Sequence, residues 1–263
     1  MSRRVLVIGI GMGDPAALTL RAVEAINRAD VFVLLDKGEA AAELIAMREA
    51  ILAAHRRAPW RTVTLASPAR GQEGRDTSGG YRAGVEAWHG ARAALLARAI
   101  AEEVPEGGTG ALLVWGDPML YDSTLRVLER AAGMGVPFEV EVVPGITAVQ
   151  ALCAAHRMPL NGIGENVEVT TGRRVAQATP AAPAFVVLLD DGAGLAALMA
   201  RGWDGQVWWG AYLGTKDEML LAGRLMEVGA EVLRRRAEAR ARKGWVMDVW
   251  LGRDAAGRPS HSA

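Results

Sequence analysis

The chain has 263 residues, with 30 basic and 30 acidic side chains, so its formal net charge at pH 7 is zero. This balance provides no overall field that would gather nucleic acid, and we expect no nucleic-acid partner. No apolar run approaches the roughly 18–20 residues that cross a bilayer, and we expect no membrane partner. The single cysteine, Cys153, excludes an internal disulfide. These features are typical of a cytoplasmic protein.

Strands and helices alternate over residues 1–158. The predicted strands are residues 5–11, 31–35, 62–65, 110–116 and 138–143, and the predicted helices are residues 18–29, 40–56, 81–104, 123–132 and 147–156. This alternation predicts right-handed crossovers and a parallel sheet covered on both faces. Residues 67–80, rich in Gly, predict a long loop, and loops of that length inside compact domains are usually functional.

The pattern changes after residue 158. The predicted strands are now residues 167–171, 184–189, 207–213, 220–225 and 246–251, and the predicted helices are residues 194–201 and 227–242. We expect a smaller α+β domain with a mixed sheet over residues 159–263, of which residues 253–263 form a loose tail. The fold class is therefore α/β with two domains, and we expect the ligand cleft between them.

A glycine-rich segment, residues 9–15, separates the first strand from the first helix. It suggests a dinucleotide site, since Asp36 ends the second strand where a ribose-binding acid would lie. A dinucleotide fingerprint, however, requires glycine where this chain has Asp14. A carboxylate there would repel the phosphates that a helix amino end attracts. A ligand without phosphate, such as S-adenosylmethionine, fits this segment better.

Three motifs together resemble the tetrapyrrole methylase family. The first is the opening Gly-x-Gly-x-Gly-Asp-Pro segment, continued by Leu18 and Thr19, with Met12 where the family commonly has Pro. Residues 115–124 resemble the family's Gly-Asp-Pro-x-x-Tyr-Ser loop, and residues 143–148 resemble its Pro-Gly-Ile-Thr-Ser loop. Each motif alone could be an ordinary turn. The last two, however, follow parallel strands at the carboxyl ends, where open α/β sheets bind ligands.

The resemblance implies a methyltransferase that uses S-adenosylmethionine as methyl donor and a tetrapyrrole as substrate. Residues 37–38, the helix with Trp88, His89 and Arg92, and the tryptophan-rich last strand resemble one branch in particular. That branch methylates C1 of precorrin-5, with loss of the acetyl group as acetic acid, on the oxygen-dependent route to cobalamin. Two alternatives stay open: a methylase for another macrocycle carbon, and a non-catalytic ligand-binding module on the same fold. The family also implies a homodimer.

The resemblance also implies where the ligands bind. The expected cofactor residues are Trp115, Gly116, Asp117, Pro118, Met119, Tyr121, Thr147, Ala148, Leu189, Leu213 and Met247. The expected substrate residues are Asp122, Arg173 and Arg174, the two arginines on a loop that overhangs the cleft. Guanidinium groups bind carboxylates through bidentate hydrogen bonds, and the macrocycle carries many carboxylates. Arg70, Arg75 and Arg82, which border the long glycine-rich loop, could close over the substrate.

The chemistry requires neither a metal nor a catalytic triad. Methyl transfer from a sulfonium is an in-line displacement, for which the enzyme aligns two carbons and excludes water. The four histidines, at positions 55, 89, 156 and 261, show no ligand spacing, so we expect no metal. Cys153 fits a core position better than a nucleophile. Tyr121, Asp122 and Glu165 are candidate bases for deacetylation by position alone, and the sequence singles out none.

Overall fold

The structure is a computed structural model that describes residues 2–36, 42–68 and 78–254. Lys37, Gly38, Arg70, Arg75 and the side chain of Arg82, all singled out above, lie outside the described residues, as does the tail from residue 255. The chain forms two compact units, Met1–Thr147 and Ala148–Ala263. The pattern of the sequence predicted the change at residue 158. The helix predicted over residues 147–156 therefore lies in the second unit from residue 148 onward.

The first unit contains a five-stranded sheet in which every pairing is parallel, as predicted. Its strands are β1 (Arg3–Gly9), β2 (Val31–Asp36), β3 (Arg61–Ala66), β4 (Thr109–Val114) and β5 (Phe138–Val143), in the order β3-β2-β4-β1-β5. Its helices are α1 (Leu20–Arg28), α2 (Ala42–His55), α3 (Ser78–Glu103) and α4 (Thr124–Ala132), with a 3₁₀ turn at Pro15–Ala17.

The helices of this unit cover both faces of the sheet. Leu6 and Ile8 of β1 pack in one core with residues of α1 and α2, such as Ile26 and Ile51. The alternate side chains of the same strand pack with residues of α3 and α4 on the other face. The strands β1, β2 and β4 are buried on both faces, which explains the continuous apolar runs from which the sequence predicted them.

This arrangement makes the carboxyl end of β4 a place where loops diverge. The central strand β4 lies between β1 and β2, from which the chain continues into α1 and α2 on one face. From β4 the chain continues into α4 on the opposite face. Crevices where neighbouring connections leave in opposite directions are the usual ligand sites of open α/β sheets.

The second unit contains the predicted mixed sheet. Its strands are β6 (Val167–Thr171), β7 (Ala184–Leu188), β8 (Gln206–Ala211), β9 (Met219–Arg224) and β10 (Asp248–Arg253), in the order β6-β7-β10-β8-β9. Only the β6–β7 pairing is parallel among these described strands. Its helices are α5 (Ala148–Ala155), α6 (Gly172–Gln177), α7 (Ala193–Ala200) and α8 (Leu225–Lys243).

Two local predictions for this unit are wrong. Arg173 and Arg174 were expected on a loop, but they lie in the helix α6. This helix has six residues, too short for an apolar periodicity to show. Arg253 was expected in a loose tail, but it ends β10 and pairs with Ala184 and Gln206. Within the described ranges, no helix combines the length and apolar character needed to cross a membrane.

Candidate functional site

Three glycines bring three loops of the first unit into backbone contact. Gly9 ends β1, Gly116 follows β4, and Gly145 follows β5. A Cβ atom added to Gly145 would lie 2.2 Å from the carbonyl oxygen of Gly116, and one added to Gly9 would lie 2.6 Å from the amide nitrogen of Gly145. Since real side chains do not fit at these distances, only glycine allows the loops to meet here.

Hydrogen bonds join the same loops. The backbone N–H of Gly116 donates to the carbonyl of Gly11 at 2.7 Å, and Gly116 itself has a positive φ of 61°. Asp117 accepts from the backbone N–H of Gly145 at 2.9 Å through Oδ2, and from that of Met119 at 2.8 Å through Oδ1. Both carboxylate oxygens of Asp117 therefore hold backbone in place.

Asp14 has a local structural role. Its Oδ1 accepts a hydrogen bond from the backbone N–H of Ala16 at 2.8 Å and caps the 3₁₀ turn. The place where a dinucleotide phosphate would accept hydrogen bonds from a helix amino end is thus taken by a carboxylate of the chain. This geometry fits a ligand without phosphate, as the sequence argument expects.

The loop after β4 presents side chains to solvent next to this junction. Met119 is 74% exposed, whereas its neighbour Pro118 is buried. Tyr121 is partly exposed and has a φ of 52°, in the left-handed region that disfavours residues other than glycine. Such backbone strain concentrates at ligand sites, where surrounding structure enforces it. The predicted cofactor residues of this loop therefore lie together at the divergent carboxyl end of β4.

Arg48, which the sequence analysis did not single out, lies against this loop. Its guanidinium carbon is 4.6 Å from the ring centre of the half-buried Trp115, and its Nε donates to the carbonyl of Leu113 at 3.1 Å. Burial lowers the pKa of Arg48 to about 10, and the nearby charge of Asp122 opposes this shift. The sequence gives no clear signal for this position, because the charged Glu49 directly follows Arg48 in α2.

Arg92 approaches the same loop from α3. It is only 6% exposed, and its Nη1 donates to Oγ of Ser123 at 3.0 Å. Its guanidinium lies 4.5 Å from the ring centre of Trp88. Burial lowers the pKa of Arg92, again opposed by the charge of Asp122. Asp122 itself accepts from the backbone N–H of Thr124 at 2.6 Å, at the start of α4.

Other predicted residues lie along one edge of the second sheet. Leu189 follows β7 and Met247 precedes β10, and these ends are adjacent because β7 and β10 are antiparallel. Tyr212, after β8, donates its backbone N–H to the carbonyl of Met247 at 2.9 Å. The next residue, Leu213, is buried. The structure thus brings Leu189, Leu213 and Met247 together.

Leu189 is distinctive within this group. It is 69% exposed although apolar, and its φ is 53°. Tyr212 has a similar φ of 52° and donates its hydroxyl to the carbonyl of Trp245 at 2.6 Å. These two strained residues, at the carboxyl ends of β7 and β8, mark this edge of the sheet as a candidate ligand surface of the second unit.

The remaining predicted residues are placed as follows. Thr147 is the last residue of the first unit, and Ala148 begins α5 in the second. Arg173 and Arg174 are exposed on α6. Glu165 accepts from the backbone N–H of Gly162 at 3.1 Å. Among the residues that the structure describes, no three His, Cys, Asp or Glu side chains form a metal-binding group.

Comparison with known proteins gives a family match and one curated relative that covers nearly the whole chain. The family model of the Tetrapyrrole (Corrin/Porphyrin) Methylases matches residues 4–229. The chain is 44% identical over 256 residues to "Precorrin-6A synthase [deacetylating]" of Sinorhizobium sp., covering 97% of this chain and 96% of the relative. It is 31% identical over 157 residues to the same organism's "Precorrin-2 C(20)-methyltransferase", covering 60% of this chain and 59% of the relative.

Solved structures show the same fold. A cobalamin synthesis related protein (CobF) from Corynebacterium diphtheriae has a TM-score of 0.79 and 37% identity, covering 97% of this chain and 99% of the other. The uroporphyrin-III C-methyltransferase of Thermus thermophilus, complexed with S-adenosyl homocysteine, has a TM-score of 0.59 and 24% identity, covering 95% of this chain and 91% of the other. At that identity the second likeness supports the fold alone.

Proposed function

This chain belongs to the tetrapyrrole (corrin/porphyrin) methylase family, and we propose that it methylates C1 of precorrin-5 with loss of the acetyl group, giving precorrin-6A. The observation that carries the proposal is the 44% identity to a deacetylating precorrin-6A synthase over 97% of this chain and 96% of the relative. A relative with another carbon specificity, the precorrin-2 C(20)-methyltransferase, shares less sequence over a shorter span.

S-adenosylmethionine supplies an electrophilic methyl group on a sulfonium. Loss of the acetyl group as acetic acid consumes one water and leaves the electron pair of the broken carbon–carbon bond on the macrocycle. That pair forms the new bond to the methyl carbon as the carbon–sulfur bond breaks, and the sulfur leaves as the neutral thioether S-adenosylhomocysteine. One proton of the water is released, which balances the positive charge lost from the sulfonium. Substrate, methyl donor and water thus account for every atom, without an oxidant or reductant.

The chain's contribution is to bind and orient the two reactants and to exclude other water. We assign the methyl donor to the loop residues Trp115–Met119 and Tyr121, with Thr147 and Ala148. The support is that the loops after β4 and β5 are joined through Asp117 and leave Met119 exposed beside the junction. In the second unit, Leu189, Leu213 and Met247 share one sheet edge, and we assign them to the same ligand.

The macrocycle carboxylates require cations. We assign Arg173 and Arg174, exposed on α6, to this task. Asp122, beside the loop after β4, is an anion, and we assign it to the substrate as an acceptor of hydrogen bonds. Asp122 already accepts a backbone hydrogen bond through Oδ1, so its other oxygen is the one left for the substrate. We also propose that the protein acts as a homodimer in the cytoplasm, and light scattering on the purified protein gives its oligomeric state.

Anaerobic incubation with precorrin-5 and S-adenosylmethionine tests the proposed function. Mass spectrometry should find a product that has gained one methyl group and lost one acetyl group, with one acetate released per turnover. A product that gains the methyl group and keeps the acetyl group would identify a methylase for another carbon. Stoichiometric binding of S-adenosylhomocysteine without turnover would identify a non-catalytic module. Turnover should persist after dialysis against a chelator, because displacement at a sulfonium needs no Lewis acid.

A further inference from the structure

Two guanidinium groups, one buried and one half-buried, converge on the loop after β4. Arg48 reaches it from α2, where it stacks on Trp115, and Arg92 reaches it from α3, where it bonds to Ser123. Helices α2 and α3 cover opposite faces of the sheet. The two side chains, which we call the arginine pair, therefore meet the carboxyl end of β4 from both faces.

Among the residues that the structure describes, one carboxylate lies near the two positive charges of the arginine pair. Asp122 is the described carboxylate that interacts electrostatically with both guanidinium groups, yet it forms a salt bridge with neither. The hydrogen bonds of Arg48 go to the backbone carbonyls of Leu44 and Leu113. Buried charges in proteins are normally paired, because an isolated one loses its hydration without compensation. One further anion would balance two guanidinium groups and one carboxylate.

Hydrogen-bond donors at this place also lack acceptors. Four buried side-chain donors among the described residues have no partner, and two of them are Nε of Arg92 and Nε1 of Trp115. Most buried polar groups in folded proteins are satisfied, so such exceptions call for an explanation. Arg48, Trp115 and Asp122 are each only half-buried, which leaves the cluster open to a ligand from solvent.

We propose that Arg48 and Arg92 form a carboxylate-binding subsite beside the Gly116–Asp117–Pro118 loop. The inference rests on the proposed function, which supplies the ligands that carry such a group. A guanidinium offers planar, two-pronged donors that match a carboxylate, and it remains charged where a buried lysine would lose its proton. The carboxylate belongs either to a side chain of the macrocycle or to the methionine part of the methyl donor.

Binding measurements on the full-length protein separate these sources. Uroporphyrin, a macrocycle with eight carboxylates, serves as a fluorescent probe, and S-adenosylhomocysteine is followed by calorimetry. Arg48→Met and Arg92→Met each remove one guanidinium while keeping an apolar stem of similar length. Arg98→Ala is the matched control, since Arg98 lies on α3 beyond Arg92 and pairs with Glu102 on the exposed surface.

If a macrocycle carboxylate occupies the subsite, each methionine variant should weaken uroporphyrin binding by roughly ten- to a hundredfold and leave S-adenosylhomocysteine affinity unchanged. The reverse result would assign the subsite to the methyl donor. Unchanged affinity for both ligands, or an equal loss in Arg98→Ala, would overturn the inference.

A replacement variant and a binding measurement that is independent of turnover keep the inference testable. If circular dichroism shows that Arg92→Met does not fold, Arg92→Lys replaces it; it keeps the charge but loses the planar fork, and we expect about a tenfold loss. The uroporphyrin result does not depend on turnover. A wild-type protein that shows these binding losses in its variants but never converts precorrin-5 would retain the subsite and refute the proposed function alone.

Discussion

Asp117 accepts a hydrogen bond from the backbone N–H of Gly145 at 2.9 Å, and this bond links the loop after β4 to the loop after β5. The other carboxylate oxygen of Asp117 accepts from Met119 in its own loop at 2.8 Å. A carboxylate suits this position because it can accept on both oxygens, whereas an amide carries one acceptor and one donor. The motif's aspartate therefore shapes the candidate site through backbone contacts.

Asp117→Asn should weaken binding of S-adenosylhomocysteine by about tenfold. The amide can replace only one of the two acceptors, so either Gly145 or Met119 loses its bond, and a hydrogen bond to a charged group contributes about 1.5–3 kcal/mol. Calorimetry measures the affinity directly. Asp30→Asn is the control: one oxygen of Asp30 accepts from Thr109 at 2.7 Å at the opposite end of β4, and an amide can keep that bond. Equal affinity in both variants would contradict the role assigned to Asp117.

Gly145→Ala should abolish S-adenosylhomocysteine binding and lower the melting temperature. Its Cβ would lie 2.2 Å from the carbonyl oxygen of Gly116, so the two loops must separate. Gly116→Val should also abolish binding, because Gly116 has a φ of 61° that valine adopts only with strain. Gly90→Ala, in the middle of α3 with no atom within 4 Å of the added Cβ, should instead raise stability by up to about 1 kcal/mol. Binding that survives in Gly145→Ala would show that the loops can meet without glycine.

The parallel sheet and its motif loops could be predicted because their signals are local. Each buried strand appears as an apolar run, and each ligand loop appears as a glycine or proline motif directly after it. The short helix α6 gave no such signal, and Gly172 at its start is determined by packing: an added Cβ would lie 2.2 Å from the carboxylate of Asp190. That contact depends on the folded second unit.

Arg48 and Arg92 show the other limit of the sequence. Arg48 is one of many arginines in the sequence, and Arg92 stands out only as part of a pattern that resembles one branch of the family. Their meaning comes from the tertiary fold, which places α2 and α3 on opposite faces of β4 and leaves both guanidinium groups beside Asp122. Arg173 and Arg174 were instead predicted to bind the substrate, because they stand together after a strand.

Arg173→Ala should raise KM for the precorrin by roughly ten- to a hundredfold and leave S-adenosylmethionine affinity unchanged, if Arg173 holds a macrocycle carboxylate as proposed. Steady-state kinetics at saturating methyl donor gives KM, and calorimetry gives the cofactor affinity. Arg240→Ala, on α8, provides a comparison with an arginine that has no assigned role. The same change in both ligands, or no change in either, would refute the assignment.

Cys153 should behave as a protonated, structural thiol. Burial raises its pKa above the ordinary value of 9.0, and the charge of Arg253 opposes this only in part. A group whose pKa is higher in the folded than in the unfolded protein stabilises the fold at pH values below its unfolded-state pKa. This contribution disappears as the pH rises through the folded-state pKa. The stability difference between wild type and Cys153→Ala should therefore shrink from pH 8 to pH 10, as thermal unfolding can measure. Full turnover in Cys153→Ala is expected, and its loss would indicate a nucleophile.

Leu189→Gly should make the protein more stable while weakening its binding of S-adenosylhomocysteine. Leu189 is held at a φ of 53°, which costs a residue with a side chain about 1–2 kcal/mol and costs glycine little. The side chain is 69% exposed, so its removal costs little buried apolar surface. The stability gained from the relieved strain is partly cancelled, because glycine has more conformational freedom to lose from the unfolded chain. A net gain of about 0.5–1 kcal/mol is expected in denaturant unfolding.

Arg157→Gly separates strain from ligand contact. Arg157 has a φ of 54° just after α5, where glycine commonly ends a helix, and it has no assigned role in the site. It should show the same gain in stability as Leu189→Gly, with unchanged S-adenosylhomocysteine affinity. If Leu189→Gly also binds normally, the strain at the end of β7 does not serve the cofactor. If it gains no stability while Arg157→Gly does, the second unit holds Leu189 in this conformation without strain.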